Sequence, residues 1–289
     1  MKQDYSIAGH HIRVEGEKLV KALNLLSGFD VFATEDSGNP LCRFTESHLD
    51  IPPVFQKELY SCDVDHFIAR FGLYADGAYL LEMSSPDDAR LKLWVDKDRS
   101  TAYFWGDFDV NLIRFACWTA FGLATLPLQS VAIHTSVIQY DGKAVLFLGE
   151  SGTGKSTHTR LWRENIEGAI LLNDDSPIVR IVDGKPWVYG SPWSGKTPCY
   201  KNEWYPLVAC VRLSQAPYNE IKRLPTIRAY GALHPSCPPF FAYDDALYDE
   251  VSRFLSLVLS QVPVYHLACL PNAEAARLSF ETIFGACEK

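Results

Sequence analysis

The sequence predicts an α/β domain with a mixed sheet over residues 107–289, preceded by a small α+β domain over residues 1–106. Three observations carry that prediction. Five consecutive apolar residues, Ala144–Leu148, run through a glycine-rich loop into a helical segment. A second apolar segment, Ala169–Leu172, follows one supersecondary unit later and ends at Asn173-Asp174-Asp175. The first hundred residues hold strand-like segments but no motif that carries chemistry.

Taken in order, Leu19–Leu26 reads as a short helix. Leu91–Val95 and Thr101–Trp105 read as strands joined by the polar turn Asp96–Ser100. The most apolar window is Leu112–Leu128, which contains Arg114, ends near Pro127 and is short for a membrane span. Leu112, Phe115, Ala116, Thr119, Ala120 and Leu123 recur at helical spacing behind Asp107 or Asp109 as N-cap, so a buried helix is predicted. Val131–Tyr140 reads as a strand, Asp141-Gly142 as a hairpin turn and Ala144–Leu148 as the returning strand. A helix over Ser156–Trp162 follows the loop. Strands near Ile178–Val182 and Trp187–Tyr189 flank the turn Asp183-Gly184. A helix over Asp245–Leu259, a strand at Val264–Leu267 and a helix over Ala273–Phe284 complete the reading.

The totals restrict function. Net charge is −8 with no long run of Lys or Arg, which argues against a nucleic acid or an anionic membrane held by bulk charge. Eight cysteines are scattered without a C-x-x-C pair, so neither a structural zinc site nor a disulfide framework is expected, and a reducing cytoplasm is. Met1–Gly16 is polar where a signal peptide would need an apolar stretch. A homo-oligomer stays open.

The loop is the strongest signal. Gly149-Glu150-Ser151-Gly152-Thr153-Gly154-Lys155-Ser156 fits the Walker A pattern, and Thr157 follows it into the helix. Such a loop turns successive N–H groups inward around phosphates, and the helix behind it aims its positive end at the same anion. Lys155 reaches the outer phosphates, and the Ser156 hydroxyl is placed to ligate Mg²⁺. A chain this long meets the pattern by chance about 1 % of the time. The expected ligand is a nucleoside triphosphate, ATP, with Mg²⁺.

Asp174 and Asp175 suit two jobs beside a phosphate. One carboxylate can hold Mg²⁺ while the other accepts a proton from an attacking hydroxyl. Standing alone, such a pair is more often a solvated turn or an N-cap. His134 precedes Lys155 by 21 residues on the predicted partner strand, and a lone His there reads as structural.

The loop, His134 at that distance and the Asp174-Asp175 pair together resemble the catalytic domain of HPr kinase/phosphorylase, whose fold is shared with phosphoenolpyruvate carboxykinase. The motifs cover roughly Val131–Ser194. The resemblance implies a kinase that uses ATP and Mg²⁺ to phosphorylate a serine hydroxyl of a protein or peptide. Lys155 would steady the outer phosphates, and Ser156 and Asp174 would hold the metal. Asp175 would accept the proton, with His134 near the transferred group. A small-molecule hydroxyl kinase and a non-catalytic nucleotide sensor are the rival readings.

One stretch departs from that family. Where the family has a glycine-rich segment preceded by a metal-binding Glu, this chain has Gly190-Ser191-Pro192-Trp193-Ser194-Gly195-Lys196, with no acidic residue in register. That argues against a second metal contact and a reverse reaction. The run from Ser191 to Lys196 resembles one in HPr-kinase-like proteins of unassigned substrate. Lys196 then reads either as a charge near the transferred phosphoryl group or as a solvated cation, with Trp193 as packing anchor. Arg228 is a weak candidate for the family's late Arg. Pro235–Phe241 reads as a rigid loop over a pocket or as a connector that buries Phe240 and Phe241.

Overall fold

The computed structural model describes residues 1–35, 38–64, 67–195 and 197–285. The chain is a mixed α/β protein with two large mixed sheets. It divides into two compact units, Met1–Pro127 with Phe240–Tyr248, and Leu128–Pro239 with Asp249–Lys289. Sequence reading draws its boundary at 106/107. The compact units divide at Pro127/Leu128 instead, and the chain re-enters the first unit over Phe240–Tyr248.

In the first unit the strands are β1 (Lys2–Ile7), β2 (His10–Glu15), β3 (Ala33–Thr34), β4 (Cys42–Glu46), β5 (Lys57–Val64), β6 (Phe67–Leu73), β7 (Tyr79–Ser84), β8 (Arg90–Val95) and β9 (Thr101–Gly106). They form one sheet in the order β3-β1-β2-β4-β9-β8-β7-β6-β5, parallel only where β4 meets β2 and β9. Helix α1 (Glu17–Leu25) presents Leu19, Val20, Ala22 and Leu23 to the core. Helix α2 (Val110–Thr125) is the predicted buried helix. Asp109 is its N-cap, the carboxylate accepting from Asn111 N and Leu112 N at 2.9 and 3.2 Å. Asp107, the other N-cap candidate, accepts from Arg90 N instead. Among the described residues no helix is long and apolar enough to cross a membrane.

The second unit carries β10 (Ser130–Ala132), β11 (Thr135–Tyr140), β12 (Lys143–Leu148), α3 (Lys155–Asn165), β13 (Ile170–Asp175), β14 (Ile178–Val182), β15 (Lys185–Tyr189), β16 (Trp204–Gln215), β17 (Glu220–Arg223), α4 (Thr226–Leu233), α5 (Asp245–Leu259) from Asp249 onward, β18 (Val264–Cys269) and α6 (Ala273–Phe284). Strands β11 and β12 are the predicted hairpin, turning through Asp141 and Gly142, both at positive φ. The sheet runs β10-β14-β15-β16-β12-β11-β13, with β18 paired to β16 and β17. The pairs β12–β16 and β16–β18 are parallel and the rest antiparallel.

That register decides where the chemistry can gather. Leu148 stands opposite Thr135 on one side and Arg212 on the other, and Thr135 stands opposite Asp175. The exit of β12, the start of β11 and the ends of β13 and β16 therefore share one edge of the sheet. Beneath it, Val145, Phe147, Trp162, Val211 and Leu267 form a core with almost no exposed surface. The Trp162 indole meets Phe147 and Phe280 edge-on, which fastens α3 to the sheet and to α6.

The structure corrects the strand predicted over Val131–Tyr140. It breaks into β10 and β11 at Ile133-His134, because those two amides donate to Pro177 O and Ser236 O rather than to a ladder partner. His134 therefore lies in a strand break, not on a strand. The predicted strand ending at Leu172 continues through Asp175, which places both carboxylates on β13. Strand β16, twelve residues long, has no counterpart in the sequence reading. Pro235–Phe241 is the burying connector, with Phe240 and Phe241 at 0 and 2 % exposure.

Candidate functional site

Strand β12 delivers the chain to the sheet edge, and the loop closes immediately after it. Thr153 tightens the turn, its N–H and hydroxyl both donating to Glu150 O, at 3.2 and 2.8 Å. Gly154 is the N-cap of α3 at φ 108°, a backbone conformation that L side chains rarely adopt, and a Cβ there would meet only open space. The concave side of the loop is thus free backbone. Lys155 reaches back across it and donates to Gly149 O at 2.8 Å and Glu150 O at 3.3 Å.

The same ammonium meets His134 Nε2 at 2.9 Å. A lysine ammonium only donates, so Nε2 must be the acceptor and the imidazole proton sits on Nδ1. Nδ1 in turn lies 3.3 Å from Asp175 Oδ1. Lys155, His134 and Asp175 form a continuous chain with a defined tautomer. Burial lowers the Lys155 pKa below its ordinary value, opposed by the charges of Asp175 and Asp174.

Beside this chain, the Ser156 hydroxyl donates to Asp174 Oδ1 at 3.1 Å. Asp174 is 4 % exposed, whereas Asp175 keeps part of its surface open. Asp175 has φ 142°, a strained value for a side-chain-bearing residue, and forms an isolated bridge with Ser194. The Ser191–Gly195 segment holds β13 in this geometry. Gly195 N donates to Asp174 O, as does the Ser194 hydroxyl. Asn173 Nδ2 donates to Ser191 O and Trp193 O, both at 3.3 Å, and the Ser191 hydroxyl donates to Ser176 O at 2.6 Å. Trp193 is 3 % exposed, a packing anchor under the carboxylates. Lys196 lies outside the described residues.

No family model matches this sequence, and no curated protein does. Among solved structures the chain is similar to the HPr(Ser) kinase/phosphatase from Coxiella burnetii. That likeness covers 54 % of this chain and 89 % of the other, with 13 % identity and a TM-score of 0.31.

Of the residues singled out in the sequence, the structure brings the loop, His134, Asp174 and Asp175 to one place. Arg228 is not among them; it is exposed on α4. The arginine at the loop is Arg212, near the end of β16, whose Nη2 lies 3.4 Å from Glu150 Oε1 and whose Nη1 donates to Ala232 O. The sequence reading has no strand there, although Leu207–Val211 is an apolar run of the kind that marks β12. His158 is buried and His266 pairs with Ser214 Oγ at 2.9 Å, so each has a structural partner.

Among the described residues no group of three or more His, Cys, Asp or Glu side chains could hold a metal unaided. The oxygen pair Ser156 Oγ and Asp174 Oδ1 nonetheless fits a hard divalent ion, which keeps most of its ligands as water and phosphate oxygens. Mg²⁺ suits that donor set.

Proposed function

We propose that this chain is a kinase that transfers the γ-phosphoryl group of ATP to a hydroxyl, with a serine of a protein or peptide as the first choice of acceptor. The observation that carries the reading is the chain Lys155–His134–Asp175, lying at the mouth of a phosphate-cradling loop beside the Ser156–Asp174 pair. The motif resemblance to HPr kinase/phosphorylase ranks a serine above other hydroxyls.

In this reading the N–H groups from Gly149 to Thr157 cradle the phosphates, and Lys155 turns from its carbonyl partners to the outer ones. Ser156 and Asp174 would hold Mg²⁺, which when bound neutralises charge on the phosphate oxygens. Asp175 accepts the proton of the acceptor hydroxyl as its oxygen bonds to the γ-phosphorus and the bond to the β-phosphate oxygen breaks, leaving ADP. His134 orients the Asp175 carboxylate through Nδ1–H. Most of the rate then comes from positioning and charge, the terms on which phosphoryl transfer depends.

The test uses purified protein, Mg²⁺ and γ-labelled ATP with an extract of the source cell, following label separately into macromolecules and small metabolites. Label transfer should fall at least about a hundredfold in Asp175→Asn while ATP binding persists. Lys155→Ala should lose both. Label in metabolites alone would replace the peptide acceptor with a small molecule. Tight ATP binding without transfer, in an extract shown to contain hydroxyl acceptors, would favour the sensor reading, for which the missing acidic residue at Gly190–Gly195 already speaks.

A further inference from the structure

Asn173 stands on β13 immediately before the two carboxylates and is fully buried, so it can touch neither nucleotide nor acceptor. It is also where β13 leaves its ladder rhythm. Val137 of β11 faces Asn173 and Ile138 faces Leu171, so Leu172 is an extra residue. Such a bulge re-aims the side chains beside it. Asn173 Oδ1 accepts from Ser176 N at 3.1 Å, which closes the backbone around Asp175. Its Nδ2 lies 3.3–3.4 Å from Ser191 O, Ser191 Oγ, Trp193 O and Cys199 O. With its two ends exchanged, the amide would set an oxygen against four oxygens, so the surroundings fix its orientation.

One side chain thus ties the far side of the Asp175 turn to the segment from Ser191 to Cys199. That segment packs directly on Asp175. Ser194 shares a backbone bridge with it, and a Cβ at Gly195 would come within 3.2 Å of Asp175 Cβ. Asp175 keeps φ 142°, and strain of that kind persists only where the surroundings over-determine it. The Asp174 carboxylate is held from another side, by the Ser156 hydroxyl of α3.

We infer that Asn173 is a positioning residue, whose buried amide locks the Ser191–Cys199 segment onto the end of β13 and so sets the Asp175 carboxylate against His134 Nδ1. Released from that tie, Asp175 would relax to negative φ and its carboxylate would leave the imidazole, now 3.3 Å away. The Asp174–Ser156 pair would stay. On the phosphoryl-transfer reading above, on which this consequence rests, nucleotide binding survives while turnover is lost.

The test uses the full chain with Asn173→Ala, and with Ser191→Ala as a milder variant that removes one acceptor and leaves the amide in place. Mg-ATP affinity is read by calorimetry, label transfer at saturating Mg-ATP in the cell extract, and the His134 tautomer from its ring-nitrogen NMR shifts. Asn173→Ala should bind Mg-ATP within about threefold of wild type. Its transfer should fall about a hundredfold, as expected for a carboxylate displaced by an ångström or so. His134 should move from the Nδ1–H form toward a mixture of tautomers. Ser191→Ala should shift transfer and tautomer the same way by less, and it decides the matter if Asn173→Ala does not fold. A wild-type His134 spectrum in the folded variants, undiminished transfer, or ATP affinity falling in step with transfer would each overturn the positioning role. If the wild-type protein transfers no label, the phosphoryl-transfer reading falls by itself, and the His134 spectrum still decides whether Asn173 sets Asp175.

Discussion

His158 sits one turn into α3, between Phe147, Trp162 and Ser279, and is 3 % exposed. Burial pushes its pKa down to about 4. Its Nε2 accepts from the Trp162 N–H at 3.2 Å, so a proton added at that nitrogen would break this bond, with Ser279 Oγ, 3.1 Å away, as the polar neighbour left to face it. In the unfolded chain the same imidazole titrates near 6.5. A folded-state pKa below the unfolded one means that stability present above pH 6.5 is lost as pH falls toward 4. The full loss is about 3 kcal/mol. Denaturant titrations between pH 7 and pH 4 should show this slope, and His158→Gln should flatten it. An unchanged slope in the variant would place the acid sensitivity elsewhere. No local signal in the sequence marks His158 as buried. Its burial follows from α6 covering α3, a contact more than a hundred residues away in the chain.

At the scale of elements, Gly190 controls how the Ser191–Gly195 segment reaches the carboxylates. A Cβ there would lie 2.0 Å from Lys201 O, a backbone atom that cannot swing aside, and Gly190 N donates to Glu203 O at 2.9 Å. Gly190→Ala should therefore cost about 3 kcal/mol or more by chemical denaturation. It should also weaken any activity that needs Asp174 and Asp175, since the displaced segment is hydrogen-bonded to Asn173 and Asp174. A stability loss under about 0.5 kcal/mol would show that the close approach relaxes freely. Much else at this scale was legible in the sequence. The β11–β12 hairpin, α5 and α6 carry local signals: a turn pair at positive φ, helical spacing, and the Asn272 cap on Ala275 N. Strand β16 carries one that the sequence reading passes over, the five-residue apolar run Leu207–Val211. Its first residues pair antiparallel with β15, and the rest lie between β12 and β18, with Leu207, Ala209, Cys210, Val211 and Leu213 buried and Val208, Arg212 and Ser214 partly so. Arg212 closes that run, and only the parallel pairing with β12, from a segment far along the chain, brings it opposite Leu148 at the loop. The loop, His134 and the Asp pair were legible because each is spelled by adjacent residues or by spacing to the motif.

On the scale of the whole molecule, the short return of the chain into the first unit matters most. Phe240 packs among Tyr60, Phe71 and Phe115, at ring separations of 5.7, 5.3 and 5.6 Å, and Asp244 accepts from the Tyr79 hydroxyl. Removing residues 1–127 would strip Phe240 of these partners and Phe241 of its neighbour Gly122, and expose both rings. The shortened protein should bind a hydrophobic dye and aggregate, and Phe240→Ser with Phe241→Ser in that background should restore a soluble monomer by light scattering. If the unmodified shortened chain stays monomeric and dye-free, the return segment contributes little. In the full chain, Phe240→Ala should cost about 3–5 kcal/mol, read from the unfolding of the first unit.

The crossings at 127/128, 239/240 and 248/249 also bear on descent. A gene fragment that carried off only the second unit would take nine codons of its neighbour with it, two of them for phenylalanines with nowhere to go. A break at 127/128 would part Phe240 and Phe241 from the unit they pack in, and the two halves are expected to be inherited as a single cassette.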